Sequence, residues 1–231
     1  MIEICTLVKY EDLYERMLAS VARTASGFVS FSRVDDPGLP HLAEAYNDLG
    51  ANSTADILLF VHDDIEFIEN EWDKKIEQAL ETYDVAGICG MTEYNGGRLF
   101  DSGIDKAVGK IGCIVDAESA VKVFRGIYRT APVKVVDGCF MAVKASHFKT
   151  HKFDQQFDEI FFYDMDYCLD AKCCVVDTLV SHTKPKKYYG KYPENIKPIE
   201  HYWDAFHQKH NLKPVFKTNQ HCTAIRMGAY A

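Results

Sequence analysis

Residues 57–61 read Ile-Leu-Leu-Phe-Val, an unbroken apolar run that ends in His62-Asp63-Asp64. A run of this length and composition reads as a strand buried on both faces. That places it inside the sheet of an α/β protein, not in a sheet wetted on one side. Open α/β sheets bind ligands at the carboxyl ends of their strands. Two adjacent carboxylates at that end suit a hard divalent cation carrying phosphate oxygens. At this level turn residues, or a cap for the following helix, account for Asp63 and Asp64 equally well.

The segments before this run supply the rest of a layered unit. Residues 2–9 read as a first strand, and residues 11–22 as a helix with Leu13, Met17, Leu18 and Val21 at helical spacing. Val29-Ser30-Phe31-Ser32 is a short second strand that runs into the turn signal Asp35-Asp36-Pro37-Gly38. Leu42, Ala43, Ala45, Tyr46 and Leu49 mark a second helix, which Gly50 is expected to end. Strand–helix–strand–helix–strand with short connections implies a parallel, right-handed βαβαβ unit of the kind that binds nucleotides.

Beyond Asp64 the sequence predicts a helix over 69–82, a strand over 85–89 closed by Gly90, hairpins or an irregular excursion over 95–129, and a strand over 133–136. A helix follows over 161–172, a strand over 173–180 and a last helix over 199–210. No repeat or low-complexity linker interrupts the 231 residues, so one domain is expected, with residues 1–64 as a nucleotide-binding half and 65–231 as an acceptor-binding half.

Composition narrows the function classes. Hydrophobic residues make up 47% of the chain, enough for a full core. No apolar run approaches the roughly 20 residues that span a bilayer, and Met1-Ile2-Glu3-Ile4 lacks the features of a signal peptide, so a cytoplasmic location is expected. The eight Cys include no CxxC pair, and most read as buried thiols. A net charge of −8 argues against nucleic acid as a partner. The local segment from Lys184 to Tyr192 is basic and aromatic. It suits a phosphate-bearing ligand or the anionic inner face of a membrane, and equally a solvated loop.

Three further stretches carry candidate chemistry. Val135-Val136-Asp137-Gly138-Cys139-Phe140 is a strand end in which Gly138 permits close backbone approach. Residues 157–169 hold four carboxylates in an aromatic setting, Asp164 and Asp166 among them. Two residues apart, those two do not share a helical face. Thr178-Leu179-Val180-Ser181-His182 puts a His at the end of an apolar strand, where it is either structural or a metal ligand.

In this order the segments resemble the family 2 glycosyltransferases of GT-A fold, an α/β architecture with a Rossmann-like mixed sheet flanked by helices. They look closest to small members whose metal motif reads His-x-Asp. The resemblance rests on Glu11 to Val21, Ala45-Tyr46-Asn47, Ala55 to Asp64, Val136 to Met141, Phe157 to Leu169, His182, and Tyr202-Trp203-Asp204-Ala205-Phe206. It covers most of the chain except residues 95–130. It implies a metal-dependent, inverting glycosyltransferase that uses a UDP- or GDP-linked sugar, a glycan or other hydroxyl acceptor, and Mn2+ or Mg2+.

The resemblance also implies roles. Asp64 and His182 would bind the metal, and Asp63 would touch the ribose or the ion. Asp164 would be the general base. Thr6 to Val8 with Asp35 or Asp36 would hold the nucleotide base, Gly138 would lie beside the acceptor, and Lys184 would support the diphosphate. Tyr163 stands where the family usually has Glu, and Asp170 where it usually has Arg. A non-catalytic sugar- or protein-binding module of this fold is a competing reading. So is a nucleotidyltransferase, although Thr6 to Tyr10 shows no Gly-rich phosphate loop.

Overall fold

In the computed structural model the chain begins with β1 (Ile2–Val8), α1 (Glu11–Thr24), β2 (Val29–Asp35), α2 (Leu42–Asn52) and β3 (Ile57–His62). The structure describes residues 1–35, 41–94, 96, 107–115, 118–123, 129–157, 161–182 and 200–212. β1 pairs in parallel with both β2 and β3, so the expected parallel unit is present with β1 at its centre. Asp36 and Lys184 lie outside the described residues.

The apolar run at 57–61 is buried on both faces as its composition demands. Leu58 and Phe60 join one core with Tyr46, Phe148 and Phe153. Ile57, Leu59 and Val61 join a second core with Met17, Trp72 and Ile76. α1 buries Leu13, Tyr14, Met17, Ser20, Val21 and Thr24, and of these Tyr14, Met17 and Val21 join this second core. Its buried Ser and Thr hydroxyls are satisfied. Ser20 Oγ donates to the Met17 carbonyl at 2.6 Å and accepts from the Phe67 N–H at 3.0 Å. Thr24 Oγ1 donates to the Ser20 carbonyl at 2.7 Å and accepts from the Trp72 indole at 3.2 Å.

After β3 come β4 (Ile65–Phe67), α3 (Trp72–Leu80), β5 (Val85–Gly87), β6 (Cys89–Met91), β7 (Ala107–Val115) and β8 (Glu118–Val123). The chain continues with β9 (Ala131–Val133), β10 (Val135–Val136), β11 (Phe140–Lys144), α4 (Ala145–Phe148), α5 (Tyr163–Leu169), β12 (Cys173–Val175), β13 (Val180–His182) and α6 (Glu200–Lys209). One mixed sheet has the order β2-β1-β3-β11-β5-β12-β9, and a second has the order β10-β6-β7-β13-β4. β7 and β8 form an antiparallel pair, so part of the irregular region is the expected hairpin.

Several expectations are corrected. Gly50 does not stop α2. A Cβ there would meet Phe148 Cε1 at 2.3 Å, so this glycine admits an aromatic ring against the helix. The single strand expected over 85–89 is two, β5 and β6, in different sheets. The strand at 133–136 divides in the same way into β9 and β10, and the strand at 173–180 into β12 and β13. Each apolar run crosses from one sheet to the other, which hydrophobic patterning alone does not register. β4, only three residues long, was not anticipated.

Candidate active site

The site forms where β1 and β3 end side by side, Leu7 opposite His62. The turn Asp63-Asp64 leads at once into β4, which pairs antiparallel with β13 so that Ile65 lies opposite His182. This ladder carries Asp64 to His182, whose Nε2 is 3.0 Å from Asp64 Oδ1. Asp64 is buried and His182 half-buried.

His62 completes the group. Among the described residues, His62, Asp64 and His182 bring one ligand atom each to within 4.8 Å of one another. Ligand atoms about 2.0–2.2 Å from an ion lie no more than about 4.4 Å apart, so a small rotation closes these three around a cation. Two imidazoles and one carboxylate fit a divalent ion. His62 was missed as a ligand from sequence. The signal was present in the His-x-Asp spacing of His62 and Asp64.

Asp63 faces elsewhere. Its Oδ2 accepts from the Lys9 N–H at 2.7 Å and the Tyr10 N–H at 2.8 Å. Tyr10 is the N-cap of α1, so this carboxylate ties the end of β3 to the positive end of α1. It is a cap, though for the helix before it in sequence and not the one after.

Asp164 lies across the site near the start of α5, whose first turn is buried. Its Oδ2 accepts from the Gly138 N–H at 2.8 Å and its Oδ1 from the Met165 N–H at 2.9 Å. Burial pushes its carboxyl up to about 7, with the charge of Asp137 adding to the rise and the two N–H groups opposing it. A carboxylate that titrates near neutrality is suited to exchange a proton with a hydroxyl. Gly138 is required for this contact. A Cβ there would stand 2.2 Å from Tyr163 Oη and 2.9 Å from Asp164 Cβ. Tyr163, a departure from the family pattern, reaches back to the His62, Asp64 and His182 group with its hydroxyl 3.2 Å from His62 Nε2.

The expected nucleotide residues divide. Thr6 is fully buried and its hydroxyl donates to the Val61 carbonyl at 2.6 Å, so its side chain does not line the cleft. The Val8 side chain is buried in the core beneath α1, which leaves only its backbone for a ligand. Asp35 is exposed at the end of β2 opposite Val8, with its Oδ1 2.9 Å from Arg33 Nε.

Asn47 and Asp166 hold the surroundings. The Asn47 amide exchanges two hydrogen bonds with the Phe153 backbone, at 2.8 and 3.0 Å. Asp166 is buried, and it pairs with Lys209 Nζ at 2.7 Å and with His210 Nε2 at 2.8 Å. These pairs fasten the end of α6 to α5.

Comparison with known proteins bears on the fold and the family. No curated protein matches the chain. Among solved structures, Staphylococcus aureus TarS residues 1–349 in complex with UDP-GlcNAc is similar with a TM-score of 0.56 at 12% identity, over 85% of this chain and 61% of that one. The same TarS fragment with UDP gives 0.54 at 12% identity, over 79% of this chain and 60% of that one. The chain therefore spans about three-fifths of those fragments, and the likeness shows the GT-A fold expected from sequence. The profile of the glycosyltransferase-like family matches residues 5–208. With the match running through β1, the His62-Asp63-Asp64 turn, Asp164 and His182, the chain belongs to the glycosyltransferase-like family.

Proposed function

We propose that the protein is a metal-dependent, inverting glycosyltransferase that moves a sugar from a nucleoside-diphosphate sugar to an acceptor hydroxyl. The observation that carries this reading is the convergence of the His62, Asp64 and His182 ligand atoms at the carboxyl ends of the central strands, with Asp164 linked to them through Tyr163 and Gly138. The two TarS structures hold UDP and UDP-GlcNAc, which supports a uridine nucleotide over a guanosine one as the first donor to test.

His62, Asp64 and His182 would hold the cation. When bound, such an ion neutralises charge that develops on a departing diphosphate. Two imidazole donors favour a transition ion such as manganese over magnesium, which prefers oxygen. Asp164, held by the Gly138 and Met165 N–H groups, would take the proton of the acceptor hydroxyl as it attacks the anomeric carbon. Displacement in one step from the face opposite the diphosphate inverts that carbon. Asp35, the Val8 backbone and Asp63 would meet the nucleoside in the half formed by residues 1–64. Residues 65–231 would receive the acceptor beside Gly138. The basic segment that includes Lys184 would add positive charge near the diphosphate. Among the described residues no helix is long and apolar enough to cross a membrane.

Calorimetric titration with UDP, UDP-GlcNAc and GDP, with and without manganese, tests the reading. The expected result is uridine-nucleotide binding that needs the metal and is lost in Asp64→Ala. Absence of any nucleotide binding with manganese present would refute it.

A further inference from the structure

Tyr163 is the group that the family pattern leaves without a task. It is the first residue of α5 and 4% exposed, with its ring centroid 6.3 Å from that of Tyr46 and 6.0 Å from that of Phe153. The residue before it, Phe162, has a left-handed backbone (φ 67) and stacks on Phe206 of α6 with centroids 4.5 Å apart. The phenol is therefore fixed by aromatic packing on its ring and by the docked helix behind it. Its hydroxyl lies against the Gly138 backbone, where any Cβ would collide with it, and 3.2 Å from His62 Nε2.

An imidazole that binds a cation is effective only when its rotation and tautomer are set, and the ring nitrogen away from the ion is where that setting is done. We propose that Tyr163 is the positioning residue of the cation site, its hydroxyl holding His62 Nε2 and so fixing Nδ1 as the donor that His62 brings to Asp64 and His182. The inference rests on the cation reading given above. A ring that binds the ion through Nδ1 carries its proton on Nε2, and that N–H donates to the Tyr163 oxygen. Because Tyr163 and Asp164 are neighbours at the start of one helix, a single turn of chain sets both the metal ligand and the base.

The test is manganese titration of the metal-free full chain, followed by calorimetry and by the electron paramagnetic signal of the free ion. Tyr163→Phe keeps the ring and removes the hydroxyl. The expected result is manganese affinity about 10–100-fold weaker than wild type, with an unchanged melting temperature in EDTA. In His62→Ala the loss should already be present, so adding Tyr163→Phe should weaken binding no further. Gly138→Ala, which presses on the hydroxyl, should act in the same direction as Tyr163→Phe. Wild-type affinity in Tyr163→Phe, or an additive loss in the double variant, would overturn the positioning role while leaving the cation reading intact. A wild-type chain that binds no manganese would overturn both.

Discussion

Asp164→Asn should alter stability in a way that depends on pH. The Asp164 carboxyl is pushed from 3.8 up to about 7, first by burial and then by the charge of Asp137. An acid whose folded pKa is raised keeps its proton longer in the folded chain than in the unfolded one. Between about pH 4 and pH 7 the folded state binds more protons, so stability falls as pH rises. The contribution of this group is greatest below the unfolded pKa and is lost by the time pH has passed the folded one.

At 1.36 kcal/mol per unit, moving from about pH 5 to about pH 8.5 should cost the wild-type chain roughly 2–3 kcal/mol through this carboxyl. Asn does not titrate and escapes that loss. The variant carries instead a cost that is the same at both pH values. Either the Gly138 or the Met165 N–H, which donate at 2.8 and 2.9 Å, must face an amide nitrogen, at about 1–3 kcal/mol. Asp164→Asn should therefore be the less stable protein near pH 5 and should match or exceed wild type near pH 8.5. Urea denaturation of both proteins at both pH values, in EDTA so that no metal contributes, measures this directly. A gap between wild type and variant that is the same at both pH values would refute the account of the buried carboxyl.

Activity should follow the same group, with transfer rising as pH passes about 7 and falling about 10²–10⁴-fold in Asp164→Asn; a flat wild-type profile over that range would remove Asp164 from the role of base. Manganese, cobalt or zinc should raise the melting temperature more than magnesium at equal concentration, because two of the three donors at the cluster are imidazoles; equal stabilisation by magnesium would point to an oxygen site elsewhere. Gly138→Ala should lose about 1–3 kcal/mol through overpacking against Tyr163 and Asp164, read as a drop in thermal denaturation midpoint. Asp166→Ala should cost about 1–3 kcal/mol, because it leaves the buried His210 ring nitrogen without its carboxylate partner. Protease sensitivity should then appear first at α6, and cleavage starting elsewhere would count against the clamp.

Much of the fold was legible because its signals are local. The apolar run at 57–61 and the helical spacing of α1 each lie within a few positions and depend only on periodicity. The order of the motifs then carried Asp64, Asp164 and His182 to the family they resemble. Glycine was the least legible residue. Gly50 reads as a helix stop yet sits inside α2, because what decides its role is the ring of Phe148, 98 residues away in the chain. Thr6 reads as a ligand contact at a strand end, yet its hydroxyl is taken by the Val61 carbonyl of the neighbouring strand.

By itself, then, the sequence determined the α/β layering, the central buried strand and the residue types available for a cation and a base, since burial and periodicity are properties of contiguous segments. Only the tertiary structure decided how the His-Asp-Asp turn is divided. Asp63 is turned to the amino end of α1 because β1 and β3 end together. Asp64 is turned to His182 because a three-residue strand pairs with one more than a hundred residues further on. His62 is brought to the same point and held there by Tyr163. Those assignments depend on register between distant strands and on the space left by Gly138, and neither is written in any one stretch of the chain.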